Sequence, residues 1–219
     1  MELYDVMRTT SAVREFTGDE IPDEVLRRIL DHARFAPSGG NRQGAHIVVV
    51  CEQATREALV ELTKTGAKRY FAQILNGEAP WNPLQPCGVS HETVAATDVP
   101  DMFTEPLLSA SVVLVVSVDL AVVAATDQDL DRIGVVSGAS VYPLVWNLLL
   151  AARSEGYGGT LTTMVVPEET RVRALLGIPD THAVAAVVPL GTPVKQPTRL
   201  TRQPVSDFVS HERFDGTPY

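Results

Sequence analysis

The sequence predicts one α+β domain, and three observations carry that prediction. Apolar runs of strand length recur at residues 46–51, 112–118 and 183–190. The first does not alternate with polar residues, and the second is mostly valine, as in strands buried on both faces. Stretches with helical spacing of apolar residues lie between these runs. Neither an internal repeat nor a linker interrupts the 219 residues, 45% of which are hydrophobic, enough for a substantial core.

Taken in order, Leu3, Val6, Met7 and Thr10 have the spacing of a short opening helix. Pro22 sits where a helix can begin, and Asp23 and Glu24 suit the positive end of its dipole. Val25, Leu26, Ile29, Leu30 and Ala33 form that helix's apolar face. Residues 53–64 read as another helix, with Gly66 past its end. Residues 66–106 have no clean period and contain five prolines together with Tyr70, Phe71, Trp81 and Phe103. A loop this long in a compact domain is functional or disordered, and its aromatics argue for a partly helical excursion that covers a ligand. The plainer alternative is that they tie a long loop to the surface.

Residues 127–133 look like a polar lead into the longest helical stretch, 136–155. That stretch is apolar around nearly its whole circumference, as in a helix buried in a core or an interface. Pro143 should kink it or mark a junction. A strand candidate follows at 160–166. Residues 167–176 then read as a helix capped by Gly177, and 205–209 as a last short strand.

Three stretches carry candidate chemistry. In Ala36-Pro37-Ser38-Gly39-Gly40-Asn41-Arg42-Gln43, Pro37 stops the preceding helix and the glycines leave the backbone open to a ligand. A polar helix-to-strand turn has the same composition. Arg8, Thr10, Ser11 and Arg14 gather cations and hydroxyls at the end of the first helix, as a phosphate needs and as a solvated helix end also offers. The Gly156-Tyr157-Gly158-Gly159 turn has a helix before it and a strand after it, the reverse of a dinucleotide fingerprint.

Together these stretches resemble the nitroreductase family of FMN-dependent oxidoreductases. Residues 36–43 resemble its flavin-contacting loop, and residues 9–14 its N-terminal phosphate-binding motif. Residues 147–153 with the glycine turn resemble its central helix and the turn after it. The resemblance implies a mostly antiparallel central sheet flanked by helices, forming a homodimer with a buried long helix and FMN at the subunit interface. It implies FMN contacts from Arg8, Thr10, Ser11 and Arg14, from Pro37, Ser38, Gly40, Asn41 and Gln43, and from Leu161, Thr162 and Thr163, where a backbone N–H meets flavin N5. Many members have a basic residue and a serine where this chain has Ser11 and Ala12, which shifts the phosphate towards Arg14, Arg8 and a tail arginine. Arg199 and Arg202 are the tail candidates, and the sequence does not choose between them. Tyr70, Phe71, Trp81 and Phe103 are the candidate substrate contacts.

The implied reaction is ping-pong: NADH or NADPH reduces FMN, and a nitroaromatic, quinone or other electron-poor acceptor takes the electrons. Alternatives are dehydrogenation, dehalogenation or flavin cleavage on the same scaffold, or a non-enzymatic flavin-binding protein. No residue is a candidate for direct catalysis, because Ser38 lacks a nucleophile setting. Eighteen basic against 27 acidic residues leave a formal charge of −9, so nucleic acid and anionic membrane are poor partners. Five scattered histidines and two cysteines without CxxC spacing predict no metal, and the absence of a signal peptide predicts a cytoplasmic protein. Residues 107–125 have the length of a membrane span, about 20 residues, yet the valine-rich part and Asp119 favour a buried strand.

Overall fold

The computed structural model describes residues 1–219. The chain folds into a four-stranded antiparallel sheet covered by helices on both faces. The strands are β1 (Ala45–Val50), β2 (Val112–Asp119), β3 (Gly158–Gly159) and β4 (His182–Gly191), in the order β1-β2-β4-β3. The helices are α1 (Leu3–Thr9), α2 (Asp23–Ala33), α3 (Gln53–Leu75), α4 (His91–Ala96), α5 (Glu105–Ser109), α6 (Tyr142–Ser154) and α7 (Glu169–Leu176). No helix is long and apolar enough to cross a membrane.

The period-two geometry of β2 divides the core. Val112, Leu114, Val116 and Val118 face α2 and α6 and pack with Ile29, Ala33, Val145 and Leu148. Val113 and Val115 face the other way, onto Leu59 and Leu62 of α3, Leu107 of α5 and Val172 of α7. Each fully buried side chain of this kind stabilises by about 1.5–3 kcal/mol relative to exposure. The ladder between β2 and β4 slips between Val116 and Ser117, leaving Ala185 without a partner. The carbonyl of that bulged residue accepts a hydrogen bond from Tyr142 Oη at 3.3 Å, which satisfies a group that the irregularity strands.

Several expectations need correction. The strand at 46–51 was expected to be buried on both faces, but β1 is the edge of the sheet and Val49 is 41% exposed. Gly66 does not end its helix. α3 continues to Leu75 and is the longest helix, at 23 residues, so the first part of the 66–106 excursion is regular. α6 begins only at Tyr142, after a 3-10 turn at Val136–Ser140, and Pro143 sits in its first turn, where a missing N–H costs nothing. Within the single chain, Leu148 of α6 is fully buried in the core, whereas Tyr142 and Trp146 are exposed. Residues 127–133, expected as a polar lead into this helix, form turns ahead of the 3-10 turn. Of the strand expected at 160–166 only one isolated bridge forms, Thr162 to Val187, and the two-residue strand β3 lies just before it. The strand expected at 205–209 is a 3-10 turn, Val205–Asp207.

Candidate active site

The glycine turn builds the site by letting two segments touch. Thr10 Oγ1 donates to Val6 O at 2.7 Å and closes α1. Beyond it the chain runs extended beside β3, with Val13 N–H donating to Gly159 O at 2.9 Å. A Cβ on Gly158 would press into Val13, and one on Gly159 into Leu190 and the Pro189 carbonyl. The glycines are therefore a packing requirement as well as a turn.

This contact opens a cleft of about 530 Å³. Thr10, Ser11 and Arg14 form one wall, Gly159 to Leu161 another, Tyr142 and Trp146 of α6 contribute the rest, and Arg202 reaches in from the tail. Neither Arg14 nor Arg202 takes part in an ion pair; the Arg202 guanidinium bonds only its neighbour's carbonyl, Thr201 O, at 2.8 Å. Two uncompensated cations facing one cleft are notable in a chain of charge −9. Ser11 Oγ is buried without a hydrogen-bond partner, a costly state unless a ligand meets it. An anionic group such as a phosphate monoester fits this donor set. Arg8 and Arg199 are exposed, and neither lines the cleft.

Two further openings share walls with the first. A small one of about 130 Å³ lies among Arg14, Tyr70, Phe103 and Thr160 to Met164. A larger one of about 780 Å³ is lined by Tyr70, Trp81, Ile133, Tyr142, Thr163 and Met164, among other uncharged residues. Arg14, Thr160 and Leu161 are common to the first two, and Tyr70, Thr163 and Met164 to the last two. The three form one depression wrapped around residues 160–164, cationic at one end and aromatic at the other. Within it, Thr162 exchanges both backbone bonds with Val187, at 2.9 and 2.8 Å. Its amide is thus committed to the sheet. The amides of Leu161 and Thr163 make no backbone hydrogen bond and, by strand alternation, point away from β4.

The aromatic end is ordered. Tyr70 and Phe103 meet edge to face, centroids 5.4 Å apart and planes at 64°. The Arg69 guanidinium stacks 4.0 Å from the centroid of Trp81. Phe71 is half-buried and lines none of the three openings. The sequence reading missed Tyr142, Trp146, Ile133 and Met164. The signal for the first two was present: aromatic residues spaced i, i+4 on an otherwise aliphatic helix, each with a polar tip that suits a half-open wall.

The loop at 37–43 is elsewhere. Gln43 N–H donates to Ser38 Oγ at 3.0 Å, Gly39 N–H to Ser140 Oγ at 3.1 Å, and Arg42 Nη1 to Val122 O at 3.1 Å. Asn41 and Gln43 have positive φ, 54° and 51°, as does Gly40 at 62°. Pro37, Asn41 and Gln43 are exposed, and none of Pro37, Ser38, Gly40, Asn41 or Gln43 lines the depression. The loop leads into Ala45, whose row across the sheet runs through Val118 to Ala183, whereas Gly159 pairs with Leu190. Seven residues of β4 separate the two rows, about 23 Å, and the loop joins the opposite edge strand.

An α+β domain with a cationic cleft running into an uncharged aromatic pocket is the kind of protein these features define. The pattern of the nitroreductase family matches residues 7–192, and the chain belongs to that family. It is 32% identical over 203 residues to an NADH dehydrogenase of Thermus thermophilus, covering 90% of each chain. It is 25% identical over 214 residues to human iodotyrosine deiodinase 1, covering 95% of this chain and 68% of the relative. Two solved structures share the fold. An iodotyrosine deiodinase bound to FMN and 3-iodo-L-tyrosine aligns with a TM-score of 0.70 and 21% identity, over 97% of this chain and all of that one. The NADPH:FMN oxidoreductase of Vibrio harveyi aligns with a TM-score of 0.68 and 21% identity, over 97% of this chain and 78% of that one.

Proposed function

We propose that the protein is an FMN-dependent oxidoreductase that takes electrons from NADH or NADPH and delivers them to a neutral, electron-poor aromatic acceptor such as a quinone or nitroaromatic. The observation that carries this reading is the continuous depression around residues 160–164, with unpaired arginines at one end and an uncharged aromatic pocket at the other. Bound FMN would supply the redox chemistry, accepting a hydride from the nicotinamide and passing its two electrons and proton on to the acceptor, which takes any further proton from water.

The chain's own residues bind and orient. Arg14 and Arg202 neutralise the phosphate, and Ser11 Oγ donates to it. The Leu161 and Thr163 amides are the backbone donors available to the edge of the flavin ring. Tyr70, Phe103 and Trp81 line an apolar space that would hold a flat acceptor and exclude water. The flavin contacts expected of Pro37, Ser38, Gly40, Asn41 and Gln43 come from a second copy of the chain, because none of these residues lines the depression of its own chain. The site is therefore shared across a homodimer.

Dehalogenation is the second reading, favoured by the likeness to iodotyrosine deiodinase. An amino-acid zwitterion needs charged partners, and Arg14 is the one charged residue among the walls of the two aromatic openings; this favours the neutral acceptor. The test is the visible spectrum of the purified protein before and after anaerobic addition of NADH or NADPH. A bound flavin that bleaches with the nicotinamide and recovers with a quinone supports the proposal. A colourless protein that fails to bind added FMN refutes it, and iodide release from 3-iodo-L-tyrosine in preference to quinone turnover favours the second reading.

A further inference from the structure

Trp81 is the least ordinary residue of the aromatic pocket. It is a bulky side chain at φ 54°, a strained conformation that persists only where its surroundings impose it. The imposing group is Gln73, in the last turn of α3 and 2% exposed. Gln73 Oε1 accepts the Trp81 backbone N–H at 3.1 Å, its Nε2 donates to Glu78 Oε2 at 2.9 Å, and its carbonyl accepts Glu78 N–H at 2.9 Å. Glu78 is held in turn by Asn76 Nδ2 at 2.7 Å and Gly88 N–H at 3.1 Å. The indole is fixed separately: Nε1 donates to Gly66 O at 3.4 Å, and Arg69 stacks on the ring. The result is a plate held from both backbone and ring, forming a wall of the larger opening.

We propose that Gln73 is a positioning residue for acceptor choice: by clamping Trp81 in its left-handed conformation between Glu78 and Arg69, it sets the width of the slot that a planar acceptor enters. The inference rests on the functional reading above. Gln73 touches neither flavin nor acceptor and acts only through the plate. A tight turn with no bearing on the reaction would also use such bonds, so the two roles must be separated by a measurement that follows Trp81 itself.

The chain has two tryptophans, so FMN-loaded protein made with 5-fluorotryptophan gives two fluorine resonances, assigned with Trp146→Phe. In Gln73→Met the Trp81 resonance should shift and broaden while that of Trp146 stays. The kcat/KM for a bicyclic quinone should fall about tenfold relative to that for ferricyanide, which needs no slot; misplacing a positioning contact has effects of this size. Flavin content and the rate of flavin reduction by the nicotinamide should stay within about twofold of wild type. Glu78→Gln, at the outer end of the clamp, should displace the same resonance by less and keeps the test open should Gln73→Met fold poorly. An unmoved Trp81 resonance in the folded variants overturns the proposal, as does a displaced resonance with an unchanged acceptor ratio or an equal loss for both acceptors. A wild-type protein that binds no FMN overturns the functional reading instead, and this inference with it.

Discussion

Gly66 and Met164 meet backbone to backbone: a Cβ on the glycine would collide with the Met164 carbonyl oxygen. This contact sets how closely α3 approaches the segment that lines the depression around residues 160–164. Gly66→Ala should therefore destabilise by about 1–3 kcal/mol from overpacking, less the fraction of a kcal/mol that alanine gains in a helix. Thermal denaturation checks this. Weaker flavin retention should accompany the loss, because the residues pushed aside are Met164 and its neighbours.

Gly66 also shows where a sequence misleads. Glycine after a helical run usually marks a helix end, and only the tertiary contact with Met164 explains one inside a helix. The strands β2 and β4 were legible because a central strand must be apolar on both faces. β1 has the same valine-rich wording and lies at the edge, since composition does not report neighbours. Arg14 and residues 161–163 could be named from motifs. Arg202 could not be chosen over Arg199, because the path of the tail depends on packing. Gln73 carries no sequence signal at all: glutamine in a helix is ordinary until its partner turn is seen.

The unpaired arginines make a separable prediction. Arg14→Ala should weaken FMN binding by about 1.5–3 kcal/mol, roughly 10- to 150-fold in Kd, the scale of a charge-assisted hydrogen bond. Arg202→Ala should act in the same direction, whereas Arg199→Ala should stay within about twofold, as for surface residues elsewhere. Titration by flavin fluorescence quenching distinguishes the three. Equal effects of Arg199 and Arg202 would contradict the assignment of the tail.

Asp127 supplies a pH dependence. Its buried carboxylate accepts Val135 N–H at 2.7 Å, Val136 N–H at 3.2 Å and Arg132 Nη1 at 2.9 Å. The Val135 bond first, then Arg132 and Val136, hold it below the usual carboxylate range despite its burial. A depressed folded-state pKa means that the group stabilises the loop above the ordinary value near 3.9, and that this is lost as pH falls through the lower folded value. Protection factors from hydrogen exchange across residues 127–136, corrected for the free-peptide rate at each pH, should thus stay constant from neutral pH to about 5. Asp127→Asn should expose the loop already at neutral pH. The loop carries Ile133 into the aromatic pocket, so the variant should also raise KM for the acceptor more than it lowers kcat.

The exposed face of α1 tests the assembly. Leu3 and Tyr4 are 64% and 70% exposed, so Leu3→Glu should cost an isolated protomer no more than about 0.5 kcal/mol. If a second copy covers this face, the same change should split the dimer and lower flavin content together. Light scattering coupled to size-exclusion chromatography, with absorbance at flavin wavelengths, reads both. A dimer that persists with full flavin would assign the interface to another surface.

The absence of residues 38–43 from the walls of their own chain's depression has one more consequence for the shared site proposed above. Half of what holds each cofactor then belongs to a molecule that the protomer must find in solution. Flavin retention becomes a matter of mass action in the protein itself. Dilution should release flavin even at constant free FMN, and the apparent affinity should rise with protein concentration until dimers saturate. A dilute assay would understate how fully the protein is charged at higher concentration, and the yellow colour of a preparation would report its state of assembly.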